Sequence, residues 1–219
     1  DKLVPIITGF HIRPHRWKNA TSKENLKYLE THSSIGCRDE FTKNLLESHG
    51  IECHLSNCLT TTFEKRESSE AQTQTYVVSA ESDWFDILPS YIRNECEYIN
   101  HYTKTTDFSS NMIDAEMLLS KYRKSAKLVI TTLLHCALPC IAMGIPVVVF
   151  YPNSQEKPMN TDVQRMSTLS KLVKCHSFKD HASVNWNPST VSIEDTKCEL
   201  KLSFDKKLTF ILEKYDEIV

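Results

Sequence analysis

His135 follows the segment Leu128-Val129-Ile130-Thr131-Thr132-Leu133-Leu134, and Cys136-Ala137-Leu138-Pro139 comes after it. The apolar run reads as a buried strand and the residues beyond it as a helix, so His135 falls at the mouth of a sheet where a helix begins. Backbone N–H groups and the helix dipole at such a start favour an anion such as a phosphate. An imidazole there can donate to that anion or move a proton at neutral pH, and Thr132 adds a hydroxyl as a phosphate contact. The alternative is a half-buried histidine satisfied by a backbone carbonyl. A second strand-to-helix turn is Ile35-Gly36-Cys37-Arg38-Asp39. Arg38 is the residue type that holds a carboxylate or phosphate bidentately; the alternative is an Arg38–Asp39 surface pair that caps the helix. The loop His11-Ile12-Arg13-Pro14-His15-Arg16-Trp17 gathers two histidines and two arginines. It suits an anionic or sugar ligand, with Trp17 to stack on a sugar ring, and it equally suits a solvated loop with an anchored Trp. Arg165 and Ser167, in Gln164–Leu169 beyond the Pro/Asn-rich loop 152–160, can grip a diphosphate or simply begin a helix.

Other chemistries lack their residues. The four glycines form no GxGxxG and no GxxxxGK[ST], so a nicotinamide-type fold or a P-loop has no phosphate loop. There is no GxSxG and no HExxH. No DxD motif is visible, so no metal and no bound cofactor are expected. The eight cysteines include Cys53-x4-Cys58 and Cys136-x3-Cys140 but no CxxC pair, and several lie inside apolar runs. They read as reduced, small hydrophobes, with a disulfide framework or metal site as the alternative; this usage fits a cytoplasmic setting. A net charge of -2 gives no broad basic surface, so nucleic acid is not an expected partner. The longest apolar runs are roughly ten residues, against the ~20 of a membrane-spanning helix. The start at Asp1, with no initiator Met, predicts one module of a longer polypeptide.

The elements that must position these residues alternate in type. Strands are expected at Leu3–Phe10, Ser34–Cys37, Ile51–Leu55, Tyr76–Ser79, Tyr98–His101, Leu128–Thr131 and Pro146–Tyr151. Helices are expected after Ser22, from Asp39 to Gly50, over Trp84–Arg93 with a break at Pro89, and over Asn111–Tyr122 with Met112, Ala115, Leu118 and Leu119 on one face. Further helices are expected over His135–Met143, over Asp162–Leu172 and after Glu194. This alternation predicts an α/β fold, with Rossmann-like parallel sheets covered by helices on both faces. The polar, aperiodic stretch within 63–75 reads as a linker, drawn at 69–75. It divides an N-terminal lobe, 1–68, from a donor-binding lobe, 76–192, with a helical segment at 193–219.

Several blocks resemble the polysaccharide pyruvyltransferase family. They are Ile35-Gly36-Cys37-Arg38-Asp39 with Thr42, Gly50-Ile51, Ser56-Asn57-Cys58-Leu59-Thr60, and Val129–Pro139 with Gly144 and Pro146-Val147. Arg165, Ser167 and Leu169 are similar to the family's RFSGL segment, and Trp186-Asn187-Pro188 to its WNP segment. The resemblance covers about residues 3 to 190. It implies two Rossmann-like lobes in a glycosyltransferase-B-like arrangement and transfer of pyruvate from phosphoenolpyruvate to a sugar as a ketal. It also implies that His135 leads in catalysis or donor binding and that arginines hold the donor. Three positions depart from the pattern: Leu133 stands where the family has Arg, Asn57 where it has Gly, and the family's N-terminal Gly-Asp segment has no counterpart.

These readings together predict a glycan-modifying transferase. The first expectation is a glycosyltransferase that moves a sugar from a nucleotide-sugar donor to a glycan acceptor. His135, Thr132, Arg165 and Ser167 would be near the donor, and His11 or Asp39 would deprotonate the acceptor. The second is pyruvyl transfer from phosphoenolpyruvate, with Arg38, Arg13 or Arg165 in place of the missing arginine. The third, from another class, is a non-catalytic glycan-binding domain.

Overall fold

The computed structural model describes residues 4–67, 72–79, 85–102, 105–152 and 164–216. Leu3, Trp84, Asp162 and most of the loop 152–160 lie outside these residues. The chain divides into two compact units. Unit 1 comprises Asp1–Thr62, Ser154–Thr168 and Glu194–Val219; unit 2 comprises Phe63–Asn153 and Leu169–Ile193.

Unit 2 is built on five parallel strands: β3 (Gln74–Val78), β4 (Glu97–Ile99), β5 (Ala126–Thr131), β6 (Val147–Phe150) and β7 (Cys175–His176). Their spatial order is β4-β3-β5-β6-β7. The chain starts near the middle, steps to one edge, then crosses back, so its direction of travel reverses between β3 and β5. The connecting helices are α4 (Ser90–Arg93), α5 (Phe108–Ser125), α6 (Leu134–Ala142) and α7 (Leu169–Leu172). Val77, Leu128, Ile130, Val148 and Phe150 alternate along their strands and share one buried cluster. Phe178 stacks on Phe150 with ring centroids 5.2 Å apart, and Trp186 sits 6.0 Å from the same ring. Helix α6 is buried along nearly its whole length, and only His135 within it is exposed. The fold is therefore α/β and Rossmann-like, with the central strands β3, β5 and β6 largely apolar and buried.

In unit 1, β1 (Ile35–Cys37) pairs in parallel with β2 (Cys53–Leu55). Helices α1 (Trp17–Ala20), α2 (Lys23–Thr31) and α3 (Glu40–Ser48) precede and follow β1, and α8 (Glu194–Asp216) returns from the far end of the chain. Ser22 caps α2 through Asn25 N–H, and Asp39 caps α3 through Thr42 N–H. Gly50, at φ +77°, ends α3 in the left-handed conformation that glycine adopts freely. Asn57 stands where the resembled pattern has Gly and lies at φ +60°, a region in which Asn is the best-tolerated substitute.

Three expectations are corrected. The buried strand Leu3–Phe10 does not form: residues 4–8 carry no regular element, and Phe10 alone bridges Cys37. Gly9 turns the chain at φ +65° and spends its N–H on Ser56 Oγ at 2.9 Å. The apolar face expected on α5 is not a core face. Met112 and Ala115 are exposed, Leu118 and Leu119 half-buried, and Tyr122 alone is buried, against Tyr76. The helix Asp162–Leu172 is interrupted: among the described residues Gln164 and Arg165 are helical, 166–168 form a turn and Leu169–Leu172 are helical again, with the hydroxyls of Ser167 and Thr168 bonded to Glu40 N–H and Arg38 O. Strand β7 was not expected; two residues carry no readable period. The helix expected over Trp84–Arg93 with a break at Pro89 forms, among the described residues, as two short pieces on either side of that break, Phe85–Ile87 and α4.

Candidate active site

Strand β1 ends at Cys37 and delivers Arg38 and Asp39 to the start of α3. Asp39 is fully buried and accepts four hydrogen bonds. Thr42 N–H donates to Oδ1 at 2.9 Å, Thr42 Oγ1 to both oxygens at 3.0 and 3.1 Å, and His11 Nδ1 to Oδ2 at 2.6 Å. Burial alone would raise the Asp39 carboxyl. The bonds from His11 and Thr42 outweigh it and hold the group below its ordinary value. A carboxylate can only accept, so Nδ1 carries the imidazole proton and Nε2 is the nitrogen left for exchange. His11 Nε2 is shielded from solvent and has no hydrogen-bond partner among the described residues. Thr42 also accepts from Ile12 N–H at 3.0 Å, and Arg38 N–H donates to Phe10 O at 2.8 Å. These bonds fix the histidine loop to the helix cap. Thr42 is a positioning residue absent from the expected set; its signal was the N-cap-to-N3 spacing from Asp39.

The Arg38 guanidinium is within electrostatic reach of Asp39 and of two further guanidiniums, Arg165 and Arg13. Arg38 is half-buried and held below its ordinary value, first by burial and then by the charges of Arg165 and Arg13, against opposing pulls from Cys58 and Asp39. Arg165 is brought in by its neighbours: Thr168 Oγ1 donates to Arg38 O at 3.2 Å, and Ser167 Oγ accepts from Glu40 N–H at 3.3 Å. Like charges held this close raise each other's energy, and an anion among them relieves it. Trp17 is 41% exposed with Lys18 Nζ 5.7 Å from its ring centroid, so the ring surface is shared with a cation.

Thr132 and His135 are in unit 2. Thr131 Oγ1 donates to Val78 O at 2.7 Å and accepts from Leu133 N–H at 3.0 Å, closing the turn between β5 and α6. Thr132 is buried and its hydroxyl meets Ser79 Oγ at 3.0 Å, so it is turned to β3 more than to an open phosphate site. His135 is the second residue of α6 and is exposed, and the cap residue Leu133 offers no side-chain bond to the helix. This is the carboxyl end of the sheet, at the reversal between β3 and β5, where ligands of open α/β sheets bind. Of the eight residues expected to act, His11, Asp39, Arg13, Arg38, Arg165 and Ser167 belong to unit 1, and Thr132 and His135 to unit 2.

All eight cysteines carry free thiols, four of them buried. Among the described residues no group of three or more His, Cys, Asp or Glu is placed to hold a metal ion. No described helix is long and apolar enough to cross a membrane. No curated protein matches the chain. The sequence profile of the family described as Polysaccharide pyruvyl transferase matches residues 2–154, a span that carries His11, Arg38, Asp39, Thr132 and His135. With most of its length under that profile, the chain belongs to the polysaccharide pyruvyl transferase family, whose members act as transferases on glycans.

Proposed function

We propose that the chain transfers the pyruvyl group of phosphoenolpyruvate to a glycan and holds this donor in unit 1. The observation that carries this reading is the gathering of Arg13, Arg38 and Arg165 beside the His11–Asp39 pair. Phosphoenolpyruvate presents a phosphate and a carboxylate on a three-carbon frame. A compact polyanion of that kind is what several converging guanidiniums hold best, and it makes an arginine at position 133 unnecessary. Ketal formation puts one proton on the donor's methylene carbon, joins two sugar oxygens to the former enol carbon and expels phosphate. The two sugar hydroxyls supply the protons, one for carbon and one for the departing phosphate. His11 Nε2 takes a hydroxyl proton, Asp39 stabilises the resulting imidazolium, and the arginines take up the charge of the leaving phosphate.

The nucleotide-sugar reading is favoured by a different observation. The β3–β5 reversal in unit 2, with His135 at its rim, is the kind of place where nucleotides bind. Calorimetric titration separates the two. Phosphoenolpyruvate is expected to bind, and Arg38→Ala and Arg165→Ala are each expected to cost about 1.5–3 kcal/mol of that affinity. A chain that ignores phosphoenolpyruvate but binds a nucleotide diphosphate would overturn the proposal in favour of glycosyl transfer. His11→Ala, with its fold intact, is expected to abolish pyruvyl transfer, whereas loss on His135→Ala is what the nucleotide-sugar reading expects.

A further inference from the structure

A cavity lies in unit 2 at the amino-terminal end of its sheet, opposite the end that carries His135. Its volume is about 280 Å³, at the lower end of ligand-binding cavities.

 A cavity of this size suits a single sugar ring rather than a nucleotide. Its walls include Trp186 and Tyr91, with Thr75, Glu95, Lys127 and Asn187 between them. Thr75 opens β3, Lys127 lies at the start of β5, and Tyr91 and Glu95 lie just before β4. Strand β5 is six residues long at about 3.3 Å each, so the cavity and His135 are separated by the length of the sheet.

Three features of this cavity point to a carbohydrate. Trp186 is half-buried and packed against Phe150, so its ring is held in place before any ligand arrives. Tyr91 is 62% exposed, an aromatic surface that the described residues leave uncovered. Rigid aromatic rings take the apolar C–H face of a pyranose, and the ring's hydroxyls then need donors and acceptors around its edge. Those are present. Thr75 lines the cavity with a hydroxyl that can both donate and accept. Asn187, exposed at the rim, adds an amide that also donates and accepts. Lys127 Nζ and Glu95 Oε2 are 3.9 Å apart, beyond hydrogen-bond distance, so both keep bonding capacity. One cation and one anion leave the lining neutral, which disfavours phosphate and favours an uncharged sugar.

We propose that this cavity is a binding subsite for a neutral hexose unit of the glycan, distinct from the residues that hold the donor. The choice of glycan as ligand rests on the transferase reading, but the test does not. The full chain is titrated with neutral tetrasaccharides, cellotetraose, maltotetraose and β1,4-galactotetraose, with no phosphoenolpyruvate present, and binding is read by calorimetry and by saturation-transfer NMR. At least one is expected to bind, and the double variant Tyr91→Ala/Asn187→Ala is expected to weaken it by about tenfold, the loss of roughly one ring contact and one hydrogen bond. Both side chains are exposed, so its thermal midpoint should match the unaltered chain. Trp186→Phe, which keeps an aromatic ring against Phe150, provides a second variant and is expected to weaken binding with the fold retained. Failure of every tetrasaccharide to bind, or binding unchanged in both variants, overturns the subsite. Neither result bears on phosphoenolpyruvate, whose titration is separate.

Discussion

Asp39 is the residue on which most of unit 1's polar geometry converges, and its charge state makes a measurable prediction. Its folded value lies below the ordinary carboxylate value of about 4. The stability it contributes is therefore fully present above that value and is lost as pH falls through the lower, folded one. Asp39→Asn is expected to cost about 2–3 kcal/mol at neutral pH and to flatten this acid-side loss, measured by urea unfolding from pH 2.5 to 6. His54 works at a different pH. It sits between Ser34 Oγ at 3.0 Å and Ser203 Oγ at 2.8 Å, and burial, aided by Lys207, holds it below the ordinary histidine value. Unfolding lets it charge, so its contribution is present above about pH 6.5 and falls away below it. His54→Gln is expected to remove that slope from the same unfolding series. At this scale the chemistry was legible in residue types: Arg38 after a strand and His11 beside arginines announce anion binding. That Arg165 joins Arg38 was not legible, because 127 residues separate the two hydrogen-bonding segments and no local pattern encodes their contact.

Elements with strong local signals were readable from the sequence. Ser22 and Asp39 cap their helices, Gly50 ends one, and Pro89 interrupts another, each through chemistry confined to a few neighbouring residues. The failures have the opposite character. An apolar run over Leu3–Phe10 reads as a strand, yet Gly9 bends it. Apolar spacing on α5 reads as a core face, yet Met112 and Met117 are exposed. Gly36 shows how tightly the short sheet is assembled. A Cβ there would stand 2.8 Å from Ser56 Cβ, 2.9 Å from Ser56 Oγ and 3.0 Å from Thr8 Oγ1. Gly36→Ala is expected to destabilise unit 1 by about 1–3 kcal/mol, the cost of forcing atoms into a filled space. Because Arg38 and Asp39 follow β1 directly, the same substitution should weaken phosphoenolpyruvate binding, and calorimetry on the purified variant checks both effects.

At the scale of the whole molecule, unit 1 is assembled from three separate stretches of chain and unit 2 from two. Helix α8 is the last stretch and is tied in by Ser203 to His54 and by Lys207 to Ser33 O. Removing residues 194–219 is expected to loosen unit 1 while unit 2 keeps its protection, which hydrogen exchange would show as faster exchange over β1 and β2 alone. The alternating pattern of strands and helices made the α/β class legible, because each element's period is local. The return of 154–168 and of α8 to unit 1 was not legible, since it depends on which surfaces meet. This interleaving also limits how such a gene can recombine. A single crossover near residue 63 would bring in unit 2 together with a foreign Arg165 segment and a foreign last helix, so exchange of unit 2 alone needs paired crossovers around both of its stretches, and lineages that trade these halves should carry that double seam.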